Sequence, residues 1–130
     1  KKMVQETARK KIMIVDDMKT NLDAMRGILE DEYTVILCKC GKQALHYLEH
    51  NEFPDLIIMD VDMPEMNGIE TTMIANKLTG GRIPVLCVTA MCDAHTVMTC
   101  RRLHAAGYIV RPYKAIYIKS EVERIFSGWR

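Results

Sequence analysis

A chain of 130 residues that is 48% hydrophobic and 27% charged has the size and composition of one globular domain, able to bury a core without disulfide or metal staples. Eighteen basic residues against seventeen acidic ones leave a net charge of +1, so bulk charge argues for no polyanion partner and direct nucleic-acid binding is not expected. The five cysteines read as reduced thiols of a cytoplasmic protein, nothing resembles a signal peptide, and no apolar run approaches the ~20 residues of a membrane span.

The chain opens on Lys1-Lys2, so neighbouring segments before it stay open. Residues 1–10 are polar and read as a lead-in; 11–130 read as one domain. Residues 11–17, KIMIVDD, form an apolar run that ends in acids. Leu22, Met25, Ile28 and Leu29 then recur at helical spacing within 21–31. The β-rich run 33–38 predicts a strand, and 42–50 predicts a helix with Ala44, Leu45 and Leu48 inward. A strand over 55–60 follows Pro54; a helix over 68–78 is stopped by Gly80-Gly81. The next strand spans 83–90, and a weaker helix spans 93–106, closed by Gly107. A short strand at 108–110 precedes a last helix over 115–129, whose inward stripe is Ile118, Val122, Ile125, Phe126 and Trp129.

Five strands thus alternate with five helices. The strands are near-continuous apolar runs, which suits a parallel sheet covered on both faces. The expected fold is α/β, an open doubly wound sheet with two helices on one face and three on the other. Ligands of such sheets bind beyond the carboxyl ends of the strands, near a topological switch point.

The polar residues gather at those ends. Strand one ends in Asp16-Asp17, strand three in Asp60, strand four in Thr89-Ala90, and strand five runs into Arg111-Pro112. Crowded carboxylates persist as anions when a hard cation sits among them. Mg²⁺ takes oxygen ligands and often binds through one or two carboxylates plus a phosphate. An aspartate can also be a nucleophile that forms an aspartyl-phosphate. Thr89 offers a hydroxyl to a phosphoryl oxygen, Arg111 a fixed positive charge, and Ala90 an uncrowded approach. A single Asp at a strand end is more often a cap or turn residue; four such ends together point to a site.

In order and spacing, IVDD (14–17), IIMDVDMPEMNG (57–68), VTA (88–90), the aromatic Tyr108 and the basic-Pro pair at 111–112 resemble the receiver domain of two-component response regulators. The resemblance covers about residues 10–128. It implies a flavodoxin-like five-stranded sheet of order 2-1-3-4-5. It also implies that Asp60 is the phosphoacceptor, that Asp17 binds Mg²⁺ (or Mn²⁺) directly and Asp16 mostly through water, and that the backbone carbonyl of Asp62 adds a further ligand. Thr89 and Tyr108 would form the switch pair, and Pro112 would follow a cis peptide bond that aims residue 111 into the site. The implied donor is a histidine kinase or histidine phosphotransfer protein. The readout surface would lie in residues 91–117, facing an output domain or target protein; a homodimer through the 93–117 face is open. Self-catalysed phosphoryl transfer and slow autodephosphorylation are implied, without turnover of an ordinary substrate.

Two residues depart from, or add to, the family pattern. Arg111 stands where the family has Lys, and its planar fork is larger with a more diffuse charge. Asp62 adds negative charge beside the acceptor and is expected to change the lifetime of a phosphoryl group there. Two other functions remain open. A non-phosphorylated pseudo-receiver acting as a docking module would account for Arg111, and a haloacid-dehalogenase-like phosphatase would account for Asp60-Val-Asp62. Cys92, His95, Cys100 and His104 suggest zinc, but at ~100° per residue they spread over about half a helix circumference and cannot converge on one ion without a partner chain. Cys38-Lys-Cys40 has the wrong spacing for a metal clip.

Overall fold

A computed structural model describes residues 9–63, 67–90 and 94–128. Parts of the sequence reading therefore lie outside the described residues: the lead-in to residue 8, Pro64 to Met66, Cys92 and Trp129. The elements in chain order are β1 (Lys11–Val15), α1 (Lys19–Leu29), β2 (Thr34–Cys38), α2 (Gly41–His50), β3 (Leu56–Asp60), α3 (Gly68–Thr79), β4 (Val85–Thr89), α4 (Ala94–Arg102), β5 (Gly107–Val110) and α5 (Ala115–Gly128). All four strand pairings are parallel, and the order is β2-β1-β3-β4-β5. Both the order and the helix count match the expected flavodoxin-like sheet.

Alternate residues of the strands feed two cores. Ile12, Ile14, Leu56, Ile58, Leu86, Val88 and Ile109 pack against Leu22, Met25 and Leu29 of α1 and Ile118, Val122 and Ile125 of α5. On the other face Met13, Val15, Ile57, Met59, Val85 and Cys87 pack against Ala44 and Leu48 of α2, Ala75 of α3 and Cys100 of α4. The two-plus-three division of helices is the one the apolar runs imply. Among the described residues no helix is long and apolar enough to cross a membrane.

Local chemistry sets the helix ends. Asn67 caps α3 by accepting from the Glu70 amide at 2.9 Å, and the Asn67 amide donates in return to the Glu70 carboxylate at 3.3 Å. Gly80, with φ 69°, closes the helix in the left-handed region. Three buried threonines fill the inner face of α3. Their hydroxyls are satisfied by donating one turn back: Thr71 to the Asn67 carbonyl, Thr72 to Gly68 and Thr79 to Ala75, at 2.7–2.9 Å.

The expected helix over 93–106 is shorter than read. It ends at Arg102, and Gly107 is the first residue of β5 and does not close a helix. The turn is made earlier, by His104 with φ 58° and by the Ala105 amide donating to the Cys100 carbonyl at 3.1 Å. A Cβ at Gly107 would meet only side-chain ends, Arg124 Nη2 at 2.9 Å and Glu121 Oε1 at 3.2 Å, which can shift to make room.

The start of α3 presses on the end of β3. A Cβ at Gly68 would lie 2.2 Å from the Asp60 carbonyl oxygen and 2.6 Å from the Val61 Cα. Backbone cannot yield to that contact as a side chain can. Gly68→Ala is therefore expected to lower stability by about 1–3 kcal/mol, despite the better helix propensity of alanine. Urea unfolding midpoints of the two proteins check this.

Candidate functional site

The strand order reverses between β1 and β3, since β1 lies between β2 and β3. The crevice of an open α/β sheet opens at such a point. Asp16 and Asp17 follow β1, and Asp60 ends β3, so the topology delivers all three to one edge. Their carboxylate oxygens lie within 4.8 Å of one another. Asp16 and Asp60 are each only 4% exposed, whereas Asp17 is open to solvent.

Each buried acid has defined partners. Asp16 Oδ1 accepts from the Met18 amide at 2.9 Å and from Asn21 Nδ2 at 3.4 Å, which ties the strand end to the first turn of α1. Its Oδ2 accepts from Arg111 Nη2 at 2.6 Å. Asp60 Oδ1 accepts from the Asp62 amide at 2.9 Å and lies 3.5 Å from Arg111 Nη1. One guanidinium thus bridges the two buried acids, using separate nitrogens of its fork. The Arg111–Pro112 peptide is cis, as the family resemblance implies.

Burial pushes the Asp60 carboxyl up to about 6 from the ordinary 3.8. The charges of Asp16 and Asp62 push the same way, and the Asp62 amide and Arg111 oppose them. An acid held in that range is ionised at neutral pH yet poorly solvated, a state that suits a carboxylate nucleophile.

Thr89 ends β4 and is 1% exposed. Its hydroxyl donates to the Asp62 carboxylate, at 3.1 Å to Oδ2 and 3.3 Å to Oδ1. The Ala90 amide donates to Asp62 Oδ2 at 2.8 Å. Six of the expected residues therefore converge: Asp16, Asp17, Asp60, Asp62, Thr89 and Arg111. Tyr108 lies apart on β5 and is 37% exposed. Sequence reasoning missed Asn21, which the five-residue step from Asp16 into a helix could have signalled. It read the Asp62 side chain as extra charge beside the acceptor but missed its bonds to Thr89 and Ala90.

The donor set fits a hard divalent cation. It consists of carboxylate oxygens, two of the three acids are buried, and like charges at this spacing favour a counter-charge. Among the described residues no other group of His, Cys, Asp or Glu converges in this way. His95 and His104 are exposed while Cys100 is 1% exposed, and Cys92 lies outside the described residues.

Comparison with known proteins identifies the family and the fold. The family model described as the response regulator receiver domain matches residues 12–123. A probable histidine kinase 4 of Oryza sativa subsp. japonica is 29% identical over 91% of this chain and 14% of its own length. The transcriptional regulatory protein ZraR of Escherichia coli (strain K12) is 31% identical over 89% of this chain and 26% of its own. The crystal structure of a signal receiver domain of a signal transduction histidine kinase from Syntrophus aciditrophicus superposes with a TM-score of 0.82 at 32% identity, covering 93% of this chain and 92% of that one. A CheY-like receiver domain protein from Methanospirillum hungatei superposes with a TM-score of 0.85 at 27% identity, over 92% and 94%. The chain spans 14% to 45% of the first curated relatives' lengths.

The raised Asp60 carboxyl has a thermodynamic sign. The folded state holds the proton more tightly than the unfolded state, so this group favours folding at low pH. That contribution is lost as pH rises from about 4 through about 6. In EDTA, Asp60→Asn is expected to be more stable than the parent at pH 7 by roughly 1–2 kcal/mol, allowing for solvent screening. The gap should close below about pH 4, as denaturation at a series of pH values would show.

Proposed function

The chain belongs to the response regulator receiver domain family of two-component signalling, and from that membership we propose that Asp60 accepts a phosphoryl group from a phosphohistidine donor and that the modification switches the domain. The observation that carries this reading is the crowding of Asp16, Asp17 and Asp60 at one sheet edge, with Arg111 reaching both buried members. Asp60 Oδ1 is engaged by the Asp62 amide and Arg111. The other oxygen, Oδ2, is the one that would attack phosphorus: a P–O bond forms, the P–N bond of the donor breaks, and the imidazole leaves.

Asp16, Asp17, Asp60 and the Asp62 carbonyl would hold Mg²⁺ (or Mn²⁺). When bound, the cation neutralises charge on the phosphoryl group in transit. Arg111 would bind a phosphoryl oxygen, and the Thr89 hydroxyl another. Phosphorylation replaces one negative charge by roughly two and adds acceptor oxygens. The loop arrangement in which Thr89 and Arg111 contact it then gains population, and Tyr108 turns inward as Thr89 moves. The donor would be a histidine kinase or histidine phosphotransfer protein. The readout would pass through 91–117 to an output domain or target, in the cytoplasm. The small buried face of α4, with Cys100 its one buried residue, supports a readout element that moves at low cost. The family match favours the receiver over the phosphatase alternative.

Incubation with Mg²⁺ and acetyl phosphate, followed by intact-mass measurement, is expected to show one labile phosphoryl adduct. It should be lost in Asp60→Asn and in EDTA. No adduct in the parent would favour the docking-module alternative. Arg111→Lys is expected to lower the Mg²⁺ concentration for half-maximal adduct several-fold, because an ammonium cannot bridge Asp16 and Asp60 as the fork does. An unchanged Mg²⁺ dependence would show that the 2.6 Å contact with Asp16 does not compete for the cation.

A further inference from the structure

At the end of β4 two donors face the same way. The Thr89 hydroxyl and the Ala90 amide both meet the Asp62 carboxylate, at 3.1 Å and 2.8 Å to its Oδ2. A hydroxyl and a backbone amide that converge on one oxygen form an anion cradle. Asp62 is anchored for this task, because its own amide donates to Asp60 Oδ1 at 2.9 Å. Its backbone is thereby held beside the acceptor while its side chain reaches across to β4. Asp62 as a whole is an exposed residue, so no burial in the core compels that conformation.

We infer that the Asp62 carboxylate is a resident competitor for the phosphoryl group, occupying the Thr89–Ala90 cradle until a phosphoryl oxygen on Asp60 displaces it. The inference rests on the proposed phosphorylation of Asp60 and adds a regulatory step to it. Switching is then an exchange of anions in one cradle. The cradle is satisfied beforehand, so phosphorylation gains only the difference between the two anions' contacts with Thr89 and Ala90. The released carboxylate swings to solvent, where its exposure lets it be hydrated. An Asp at this position therefore raises the threshold for activation by holding the cradle that a phosphoryl oxygen must enter.

The test uses beryllofluoride, which mimics a phosphoryl group on a carboxylate, with Mg²⁺ present. Its affinity is measured by calorimetry for the parent, Asp62→Asn and Asp62→Ala. Both variants are expected to bind about tenfold tighter or more, the worth of one charge-assisted contact. The gain should persist near 1 M salt, where the Debye length is only ~3 Å and a merely electrostatic effect of Asp62 is screened. A second readout needs neither ligand nor metal: in Asp62→Ala the Ala90 amide proton resonance should move upfield and exchange faster.

Equal affinity in all three proteins would overturn the competitor role and leave phosphorylation of Asp60 standing. A gain that vanishes in high salt, or an unmoved Ala90 resonance, would also overturn it. Binding by the variants but not the parent would support it in its strongest form. Absence of binding in all three would overturn the competitor role together with the phosphoryl site itself.

Discussion

Two carboxylates buried within reach of each other are the constraint on which this protein is built. Asp16 and Asp60 are each 4% exposed, and neither could stay ionised there without compensation. The compensation is distributed. Asp16 takes the start of α1 on one oxygen and the guanidinium on the other. Asp60 takes an amide and the edge of the same guanidinium on one oxygen. The compensation of Asp60 is incomplete, as its raised carboxyl shows. That residual cost is what a cation or a covalent modification can relieve, so the site is responsive because it is imperfectly satisfied.

The rest of the fold serves as a frame for that edge. Each of the central strands is buried on both faces and locked by parallel pairing on both sides. Such a strand cannot slide without moving residues between the two cores. The acids are therefore held by rigid posts, while the partners that act on them, Asp62, Ala90 and Arg111, sit on the segments beyond the strand ends. Rigidity below and adaptability above let one charge change alter loops without disturbing the sheet.

How much of this was legible in the sequence depends on how local the signal is. Runs such as IIMD declare a strand buried on both faces because they leave no polar side to face water. The convergence of strand ends follows from topology once the strands are parallel. The end of α4 was misread because Gly107 looked like a stop signal, whereas a non-glycine residue, His104, takes the left-handed turn. The role of the Asp62 side chain was also hidden. Its carboxylate chooses between solvent and two donors 27 and 28 residues away, and no spacing rule encodes that choice. Asp62 was legible as extra charge beside the acceptor, not as a ligand of the cradle.

The bond from Arg111 to Asp16 spans 95 residues of chain, and this gives the site an order of assembly. A ring that large closes late, since its entropy cost falls before any local gain can offset it. During synthesis β1 and β3 emerge long before residue 111 does. The segment that follows β5 thus acts as the seal that completes the charged edge begun by β1 and β3.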